Sequence, residues 1–312
     1  MRIVVALGGN AISRRGEPIT IENMRANLRT AAGPLAEVGC EHELVITHGN
    51  GPQVGLLALQ NAAYPDVPAF PLDVLGAQTQ GLIGYLIELE LRNALAGRKM
   101  LTTVLTLVAV DPADPAFADP TKLVGPVYTA EEAARLESER GWTFRLDGDA
   151  PRRVVPSPRP QRVVQVDSAR RLLAGGHIVV SSGGGGVPVA IAEDGTFSGV
   201  EVVVDKDASS AMLAGALEAD MLVLATDADA VMLDWGTPQA RAIAEITPDA
   251  LEAYDFAAGS MGPKVEAACR FVRSGRGKAV IGRLSDLPAI LAGTAGTVVR
   301  EGVEGGEILR EA

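Results

Sequence analysis

Short apolar runs of strand length alternate with longer amphipathic stretches along most of the 312 residues, and this alternation limits the folds that the chain can adopt. Near-continuous Val, Ile and Leu runs are typical of strands that are covered on both faces. The predicted strands are residues 3–7, 43–47, 101–108, 177–181, 221–226 and 278–281. The pattern therefore predicts an α/β layered fold with a mostly parallel sheet.

Helices are predicted near residues 22–38, 73–95, 207–217 and 263–272. The segment 111–160 interrupts the alternation and is rich in proline and charge. It is either a linker or a small inserted subdomain in which two apolar pieces, 123–128 and 154–155, pair as strands. Of the two, we expect a small subdomain that overhangs the site. A composition shift near residue 200 predicts two lobes, residues 1–200 (with the subdomain at about 111–160) and residues 201–312.

Composition excludes several classes of partner. The net charge of −11 argues against attraction to nucleic acid or to an anionic membrane surface. The two cysteines and three histidines lack the spacing of a zinc site. The apolar run at the N-terminus is too short for a signal peptide or a membrane span. We therefore expect a cytoplasmic protein with no nucleic-acid or membrane partner.

Glycine-rich turns follow several predicted strands, at residues 8–10, 48–51, 183–186 and 259–262. Ligands of open α/β sheets bind at the carboxyl ends of the strands. Glycine there lets backbone N–H groups approach a phosphate without a Cβ in the way. Several such turns at one sheet edge predict an anion or phosphate site. The Walker A pattern is absent and the Rossmann spacing is missed by one residue, so another type of nucleotide site is required.

Two lysines stand in contexts that suggest phosphate binding. Lys264 lies in the first turn of a predicted helix, where a cation opposes the macrodipole by ~0.3–1 kcal/mol. It is either a solvated surface lysine or the partner of a phosphate bound at that helix end. Lys206 stands between Asp205 and Asp207 at the start of another helix. It forms either a local salt bridge at the helix cap or a contact with a transferring phosphoryl group.

Other polar residues are more ambiguous. Lys122 on its own resembles a surface lysine, and His48 is expected to hydrogen-bond within its turn rather than act as a general base. Asp227 and Asp229 close a predicted strand as turn formers or as nucleotide contacts, and we favour the second. Lysines and backbone cradles without an evident base suit phosphoryl transfer. An acceptor that is already an anion needs no base, which favours an acid over an alcohol.

The chain resembles the carbamate kinases of the amino acid kinase superfamily along almost its whole length. The similar stretches, in family order, are 6–11, 47–55, 120–122, 155–158, 182–186, 205–207, 259–264 and 293–297. The resemblance implies a three-layer αβα sandwich with a protruding subdomain, working as a homodimer. It also implies reversible phosphoryl transfer between MgATP and carbamate, with carbamate bound on the N-terminal lobe and nucleotide on the C-terminal lobe.

Residue by residue, the resemblance implies the following roles. Lys122 would reach the carbamoyl group from the subdomain, Lys206 would stabilise the transferring phosphoryl group, and Asp207 would orient the lysines. The carbamoyl phosphate would be held by Gly8, Gly9, Asn10, Gly49, Asn50 and Gly51. The expected nucleotide-binding residues are Asp205, Thr226, Asp227, Asp229, Ser260, Met261, Gly262 and Lys264. Mg²⁺ would be carried by ATP or ADP rather than by protein ligands.

The sequence departs from the family pattern at three places. Leu123 and Val124 follow Lys122 where a proline is common, Gln165 stands where an acidic residue is expected, and Arg159 where lysine is frequent. The alternatives are another relative, such as an acetylglutamate or isopentenyl phosphate kinase, and a nucleotide-binding regulator without catalysis. Lys122 and the inserted segment favour the carbamate kinases, and the three lysines argue against an inactive regulator.

Overall fold

The computed structural model describes residues 1–14, 16–64, 66–256, 261–275 and 277–311. Its strands are β1 (Arg2–Leu7), β2 (Glu43–His48), β3 (Met100–Thr103), β4 (Leu107–Val110), β5 (Lys122–Val127), β6 (Thr143–Asp147), β7 (Ala150–Val155), β8 (Pro160–Val163), β9 (His177–Val180), β10 (Val187–Ile191), β11 (Phe197–Gly199), β12 (Met221–Thr226), β13 (Met232–Leu233), β14 (Arg241–Ile246), β15 (Lys278–Arg283), β16 (Thr297–Val299) and β17 (Glu307–Glu311). Its helices are α1 (Ile21–Glu41), α2 (Gly51–Ala62), α3 (Leu72–Leu95), α4 (Ala130–Arg140), α5 (Val166–Ala174), α6 (Lys206–Ala216), α7 (Pro248–Glu252), α8 (Met261–Arg273) and α9 (Leu287–Leu291).

One large sheet forms the middle of the molecule, in the order β13-β14-β16-β15-β12-β1-β2-β9-β3, with β17 paired to β14. The six strands from β15 to β3 run parallel to one another. The sheet runs through both predicted lobes, because β1 pairs with β12 from Ile3–Met221 to Ala6–Leu224. A mostly parallel central sheet is confirmed.

Apolar side chains cover both faces of this sheet, which explains the uninterrupted apolar runs in its strands. Ile3, Val5 and Leu7 of β1 face a core cluster that includes residues of α1, α3 and α9. Val4 and Ala6 face the opposite cluster, formed with α5, α6 and α8. Each β1 residue from 3 to 7 is fully buried. The predicted three-layer αβα sandwich is therefore confirmed.

The single strand predicted at residues 101–108 is wrong. The structure has two strands there, β3 beside β9 in the central sheet and β4 beside β10 and β8 in a second sheet. The Gln80 side chain accepts from Thr106 N at 2.9 Å and donates to Thr106 O at 2.9 Å. Because a side chain satisfies both backbone groups of Thr106, the chain leaves the central ladder at this point without an unpaired buried group.

The segment predicted as a subdomain forms its own three-stranded antiparallel sheet, β5-β7-β6, accompanied by α4. The two predicted apolar pieces do pair, with Leu123 opposite Val154. Thr129 and Glu132 form a capping box that starts α4. Val124 and Val155 pack with Val54 of α2 in a small apolar cluster, which attaches this sheet to the rest of the molecule.

The parallel arrangement puts the carboxyl ends of β1, β2, β9, β12 and β15 at one edge of the central sheet. Two of the predicted glycine turns, at residues 8–10 and 48–51, leave β1 and β2 at that edge. A third, Gly183–Gly185, follows β9 as a short 3₁₀ turn. Within the described ranges, no helix combines the length and apolar character needed to cross a bilayer.

Candidate active site

A cleft of about 1610 Å³ opens at the carboxyl edge of the central sheet. Among the residues predicted for the site, eleven line it: Gly8, Gly9, Asn10, Lys122, Asp205, Lys206, Asp207, Thr226, Asp227, Met261 and Lys264. The three predicted lysines, which come from the subdomain, α6 and α8, therefore share one cavity.

The first glycine turn sits between β1 and the end of β12. A Cβ on Gly8 would lie only 2.7 Å from the Ala225 carbonyl oxygen, so the two chain segments approach each other as closely as glycine allows. Beyond it, the Asn10 side chain donates to Asp227 Oδ2 at 2.8 Å. This contact joins the N-terminal glycine turn to the C-terminal strand across the floor of the cleft.

The second glycine turn, after β2, is buried and internally braced. His48 Nδ1 lies 3.0 Å from the Gly49 carbonyl oxygen, and burial lowers the pKa of His48 from 6.5 to about 4. The imidazole is therefore neutral near pH 7 and belongs to the turn, in line with the structural role expected for it. Asn50 donates to Thr79 Oγ1 at 2.7 Å. Gly49, Asn50 and Gly51 do not line the cleft directly.

Gly49 instead supports a lysine that does. A Cβ on Gly49 would lie 3.2 Å from Cδ of Lys206, so the aliphatic stem of that lysine lies across the glycine. Ser210 Oγ donates to the Lys206 carbonyl oxygen at 2.6 Å and lies 2.6 Å from Thr47 Oγ1. These contacts fix the first turn of α6 against the end of β2.

Asp207 joins two lysines from different helices. It bonds Lys206 Nζ through Oδ1 and Lys264 Nζ through Oδ2 at 3.1 Å. The exposed side-chain fractions are 4% for Asp207, 12% for Lys206 and 13% for Lys264. Burial by itself would raise the pKa of Asp207, but the two ammonium charges outweigh it and hold that pKa below its ordinary value. Burial lowers the pKa of Lys206, against the opposing charge of Asp207.

The cluster therefore carries a net positive charge inside the cleft, next to the N-termini of α6 and α8. Two ammonium groups and one carboxylate leave an uncompensated cation at a place where both helix dipoles also favour an anion. Such an arrangement suits a phosphoryl group, whose charge spreads over three oxygens during transfer.

Lys122 reaches the same cleft from β5 of the small antiparallel sheet. Its Nζ lies 2.5 Å from Asp205 Oδ2, and 34% of its side chain is exposed. Asp205 Oδ1 accepts from the backbone N of Asp207 at 2.8 Å and of Ala208 at 3.1 Å, which caps α6. Burial would raise the pKa of Asp205, but Lys122, Lys206 and these hydrogen bonds hold it far below its ordinary value.

The third glycine turn packs beneath the cleft rather than lining it. A Cβ on Gly184 would meet the Asn50 side chain at 2.4 Å, and one on Gly185 would meet the Val204 carbonyl oxygen at 2.2 Å. Both residues also have φ in the left-handed region, at +66° and +90°. Glycine is needed here for close packing against the second turn and the approach to Asp205.

The remaining predicted nucleotide residues are distributed unevenly. Thr226 Oγ1 donates to Asp227 Oδ1 at 3.2 Å inside the cleft. Asp229 instead pairs with Arg283 at 2.8 Å and does not line the cavity. Met261 and Gly262 begin α8, and Ser260 lies outside the described residues. In the part of the chain that the structure describes, no three His, Cys, Asp or Glu side chains are grouped to hold a metal ion.

Several cleft residues were not anticipated from the sequence. Arg283 ends β15 and is the register partner of Thr226, so the rule that ligands bind at the carboxyl ends of strands would have found it. One region of the cleft is lined by Met232, Trp235, Arg241, Tyr254 and Phe256. No glycine motif or charge pattern marks these residues, because they lie on segments that the periodicity did not assign.

The departures from the family pattern have structural roles. Val124 is buried in the cluster that attaches the small sheet. Gln165 Oε1 accepts from the Leu107 backbone N at 2.7 Å, which fixes the start of β4. Arg159 pairs with Glu266 of α8 at 3.2 Å on the surface. The departures therefore leave the three lysines in the cleft.

Comparison with known proteins agrees with this geometry. Residues 1–283 match the profile of the amino acid kinase family. Carbamate kinase from Haemophilus influenzae is 53% identical over 305 residues, which cover 98% of each chain. Carbamate kinase from Rhizobium meliloti is 52% identical, over 96% of this chain and 93% of that one. The structure of carbamate kinase from Giardia lamblia bound to AMP-PNP superposes with a TM-score of 0.88 at 36% identity, over 96% of this chain and 98% of that one. The chain belongs to the carbamate kinases of the amino acid kinase family.

Proposed function

We propose that this carbamate kinase transfers the phosphoryl group between carbamoyl phosphate and ADP in the cleft where Lys122, Lys206 and Lys264 meet. The observation that carries the proposal is the shared cavity: three ammonium groups from three elements surround one space. Phosphoryl transfer needs positioning and charge neutralisation more than covalent catalysis, and this cleft offers both.

Lys206 stabilises the migrating phosphoryl group, Lys264 binds the nucleotide phosphates, and Asp207 holds both ammonium groups in place. A β-phosphate oxygen of ADP attacks phosphorus while the bond from phosphorus to the carbamoyl oxygen breaks. Carbamate leaves as an anion, and it later breaks down to ammonia and CO₂. No proton has to move in the transfer step, which fits a cleft whose nearest histidine is buried and neutral.

The carbamoyl end lies on the side of the N-terminal lobe, and Lys122 contacts it from the small antiparallel sheet. Gly8, Gly9 and Asn10 offer backbone and amide groups on the floor of the cleft. Gly49, Asn50 and Gly51 do not line the cleft themselves and support it from the neighbouring turn, where Gly49 lies against the stem of Lys206. What supports this assignment is the position of both turns at the carboxyl edge of adjacent parallel strands.

The nucleotide lies on the side of the C-terminal lobe, residues 201–312. Its proposed contacts are Thr226, Asp227, Met261 and Lys264, which line the cleft, together with Ser260 and Gly262. Of the other two predicted contacts, Asp229 pairs with Arg283 and does not line the cavity, and Asp205 bonds Lys122. The nucleotide phosphates would carry Mg²⁺, which would neutralise part of their charge. The two adjacent ammonium groups and the helix N-termini suit the remaining phosphate oxygens.

We infer a homodimer in the cytoplasm. Strand β3 is at the edge of the central sheet, where β9 is its only partner among the described residues. Met100 of β3, the nearby Leu105 and Tyr85 of α3 are large apolar residues that are more than half exposed. An open edge beside exposed apolar side chains suits a second copy. Cys40 and Cys269 are free thiols, which suits a reducing compartment.

The test mixes purified protein with carbamoyl phosphate and ADP, with and without Mg²⁺, and measures ATP. We expect ATP above the blank only when Mg²⁺ is present. Parallel reactions with ATP and either acetylglutamate or isopentenyl phosphate test the other kinase activities. Folded protein that makes no ATP from carbamoyl phosphate, or that prefers another acceptor, contradicts the proposal.

A further inference from the structure

We propose that Asp205 is a positioning residue that holds Lys122 for catalysis, rather than a nucleotide contact. This inference rests on the proposed function of Lys122 at the carbamoyl end. The Asp-Lys-Asp motif at residues 205–207 would then organise all three lysines. Asp207 holds the pair on the phosphoryl side, and Asp205 holds the one that comes from the small sheet.

The two oxygens of Asp205 have separate partners. Oδ1 accepts from two backbone N–H groups in the first turn of α6, which fixes the orientation of the carboxylate. Oδ2 therefore has a defined direction, and Lys122 Nζ lies 2.5 Å from it. An ammonium group has three N–H donors. With one donated to Asp205, the remaining two point along fixed directions that are available to a substrate.

The strand that carries Lys122 is held close to Asp205 by contacts independent of the ion pair. Lys122 pairs in register with Val155, and the next residue, Pro156, accepts a hydrogen bond from Val203 N at 3.2 Å. Val203 also packs with Val124 in the apolar cluster. The segment leading to Asp205 is thus fastened to the base of the small sheet.

Backbone packing on the other side limits movement of the same strand. A Cβ on Gly55 of α2 would lie 1.9 Å from Cα of Gly125, so β5 and α2 are in direct backbone contact. Lys122 is three residues before this contact. Its base is therefore positioned by packing, and the direction of its flexible side chain is left to Asp205.

The experiment uses Asp205→Asn, because asparagine is as good a helix cap as aspartate but has only one acceptor oxygen. If that oxygen caps α6, the amide NH₂ faces Lys122 and cannot accept from it. We expect kcat/KM for carbamoyl phosphate to fall about tenfold, as for loss of a hydrogen bond to a charged group. KM for MgADP and the melting temperature should stay unchanged. Asp205→Ala should lose the same activity and also lower the melting temperature, because it removes the cap.

A double variant of Asp205 and Lys122 separates a positioning role of Asp205 from a structural one. In a Lys122→Ala background, Asp205→Asn should cause no further loss of activity, because the group through which it acts is gone. An additive loss in the double variant, or a raised KM for MgADP in Asp205→Asn, overturns the inference and returns Asp205 to the nucleotide. Wild-type protein without carbamate kinase activity would instead overturn the proposed function, so the two failures are distinguishable.

Discussion

The two sides of the cleft hold their lysines in different ways. Lys206 and Lys264 are only 12% and 13% exposed on helices packed against the central sheet, and they share one buried carboxylate. Lys122 comes from a separate three-stranded sheet, is one-third exposed, and meets its carboxylate across the cleft. The difference suggests a division of labour. On the proposed assignment, the phosphoryl side, with Lys206 and Lys264, is preorganised by the core, whereas the carbamoyl side, with Lys122, depends on how the small sheet is attached.

The phosphoryl side should show the largest effect. Lys206→Ala and Lys264→Ala are each expected to lower kcat by ~10²–10³-fold, as for removal of a preorganised contact to the transition state. ATP formation measures the rate, and circular dichroism checks the fold. Lys99→Ala is the matched control, because Lys99 bonds the His42 carbonyl oxygen outside the cleft and should keep the wild-type rate. Wild-type turnover in either cleft variant would show that the lysine is dispensable.

On the carbamoyl side, loss of the lysine should lower the rate of catalysis without weakening the binding of MgADP. Lys122→Ala is expected to lower kcat by at least ~10²-fold while the Kd for MgADP, measured by calorimetry, stays within about twofold of wild type. The reason is that Lys122 comes from the small antiparallel sheet and is proposed to contact the carbamoyl end, not the nucleotide phosphates. A large loss of MgADP binding would put Lys122 on the wrong substrate and remove the contrast between the two sides.

Features that are set by a short stretch of sequence could be predicted, and features that are set by distant residues could not. The parallel core was predictable because burial on both faces leaves an uninterrupted apolar run in each strand, as in β1 and β12. The break between β3 and β4 was not, because it depends on Gln80, which is 26 residues from Thr106. Helix α2 was missed because its first turn, Gly51 and Pro52, resembles a loop.

The site shows the same limit. Glycine turns and charged motifs identified Lys206 and Lys264, whereas Lys122 on its own resembled a surface lysine and was assigned to the site only through the family resemblance. The bond between Lys122 and Asp205 joins positions 83 residues apart, and no local pattern encodes that pairing. The resemblance to carbamate kinases supplied the substrate, which residue chemistry alone had narrowed only to an anionic acceptor.

The buried turn after β2, which contains His48, should make the folded state sensitive to acid. Burial lowers the pKa of His48 to about 4, from 6.5, so the unfolded chain binds a proton over this range that the folded chain does not. The stabilising effect is complete above pH 6.5 and is lost as the pH falls towards 4. At ~1.4 kcal/mol per pH unit, the free energy of unfolding should drop by roughly 3 kcal/mol across that window.

Urea unfolding of wild type and His48→Gln between pH 7 and pH 4 measures this effect. The variant loses the titrating group, so its free energy of unfolding should depend less steeply on pH, whatever its absolute stability. Carboxylates that titrate near the lower end contribute to both proteins alike. Equal slopes would mean that His48 has the same pKa in the folded and unfolded states, and therefore that burial does not hold it neutral.

A smaller effect is expected where a glycine supports a lysine stem. Gly49→Ala puts a methyl group 3.2 Å from Lys206 Cδ and should lower kcat about tenfold by displacing Nζ from its place beside Asp207. Gly51→Ala, in the same turn, adds a methyl group that meets nothing within 4 Å, and it should cost less. If Gly51→Ala lowers kcat more than Gly49→Ala does, Gly49 does not act through Lys206.

The smallest effect should come from the surface contact between the small-sheet side and α8. Arg159 and Glu266 are 3.2 Å apart but 73% and 58% exposed, and Glu266 also contacts Arg270 in its own helix. Arg159→Ala should therefore change the free energy of unfolding by less than about 1 kcal/mol and kcat/KM by less than about threefold. The backbone N of residue 159 keeps its bond to Asp114 in the variant. Suppose instead that the variant loses kcat/KM tenfold relative to wild type, and that the difference between the two proteins disappears at high salt. This exposed pair, and not Asp205 and the apolar cluster, would then set the position of Lys122.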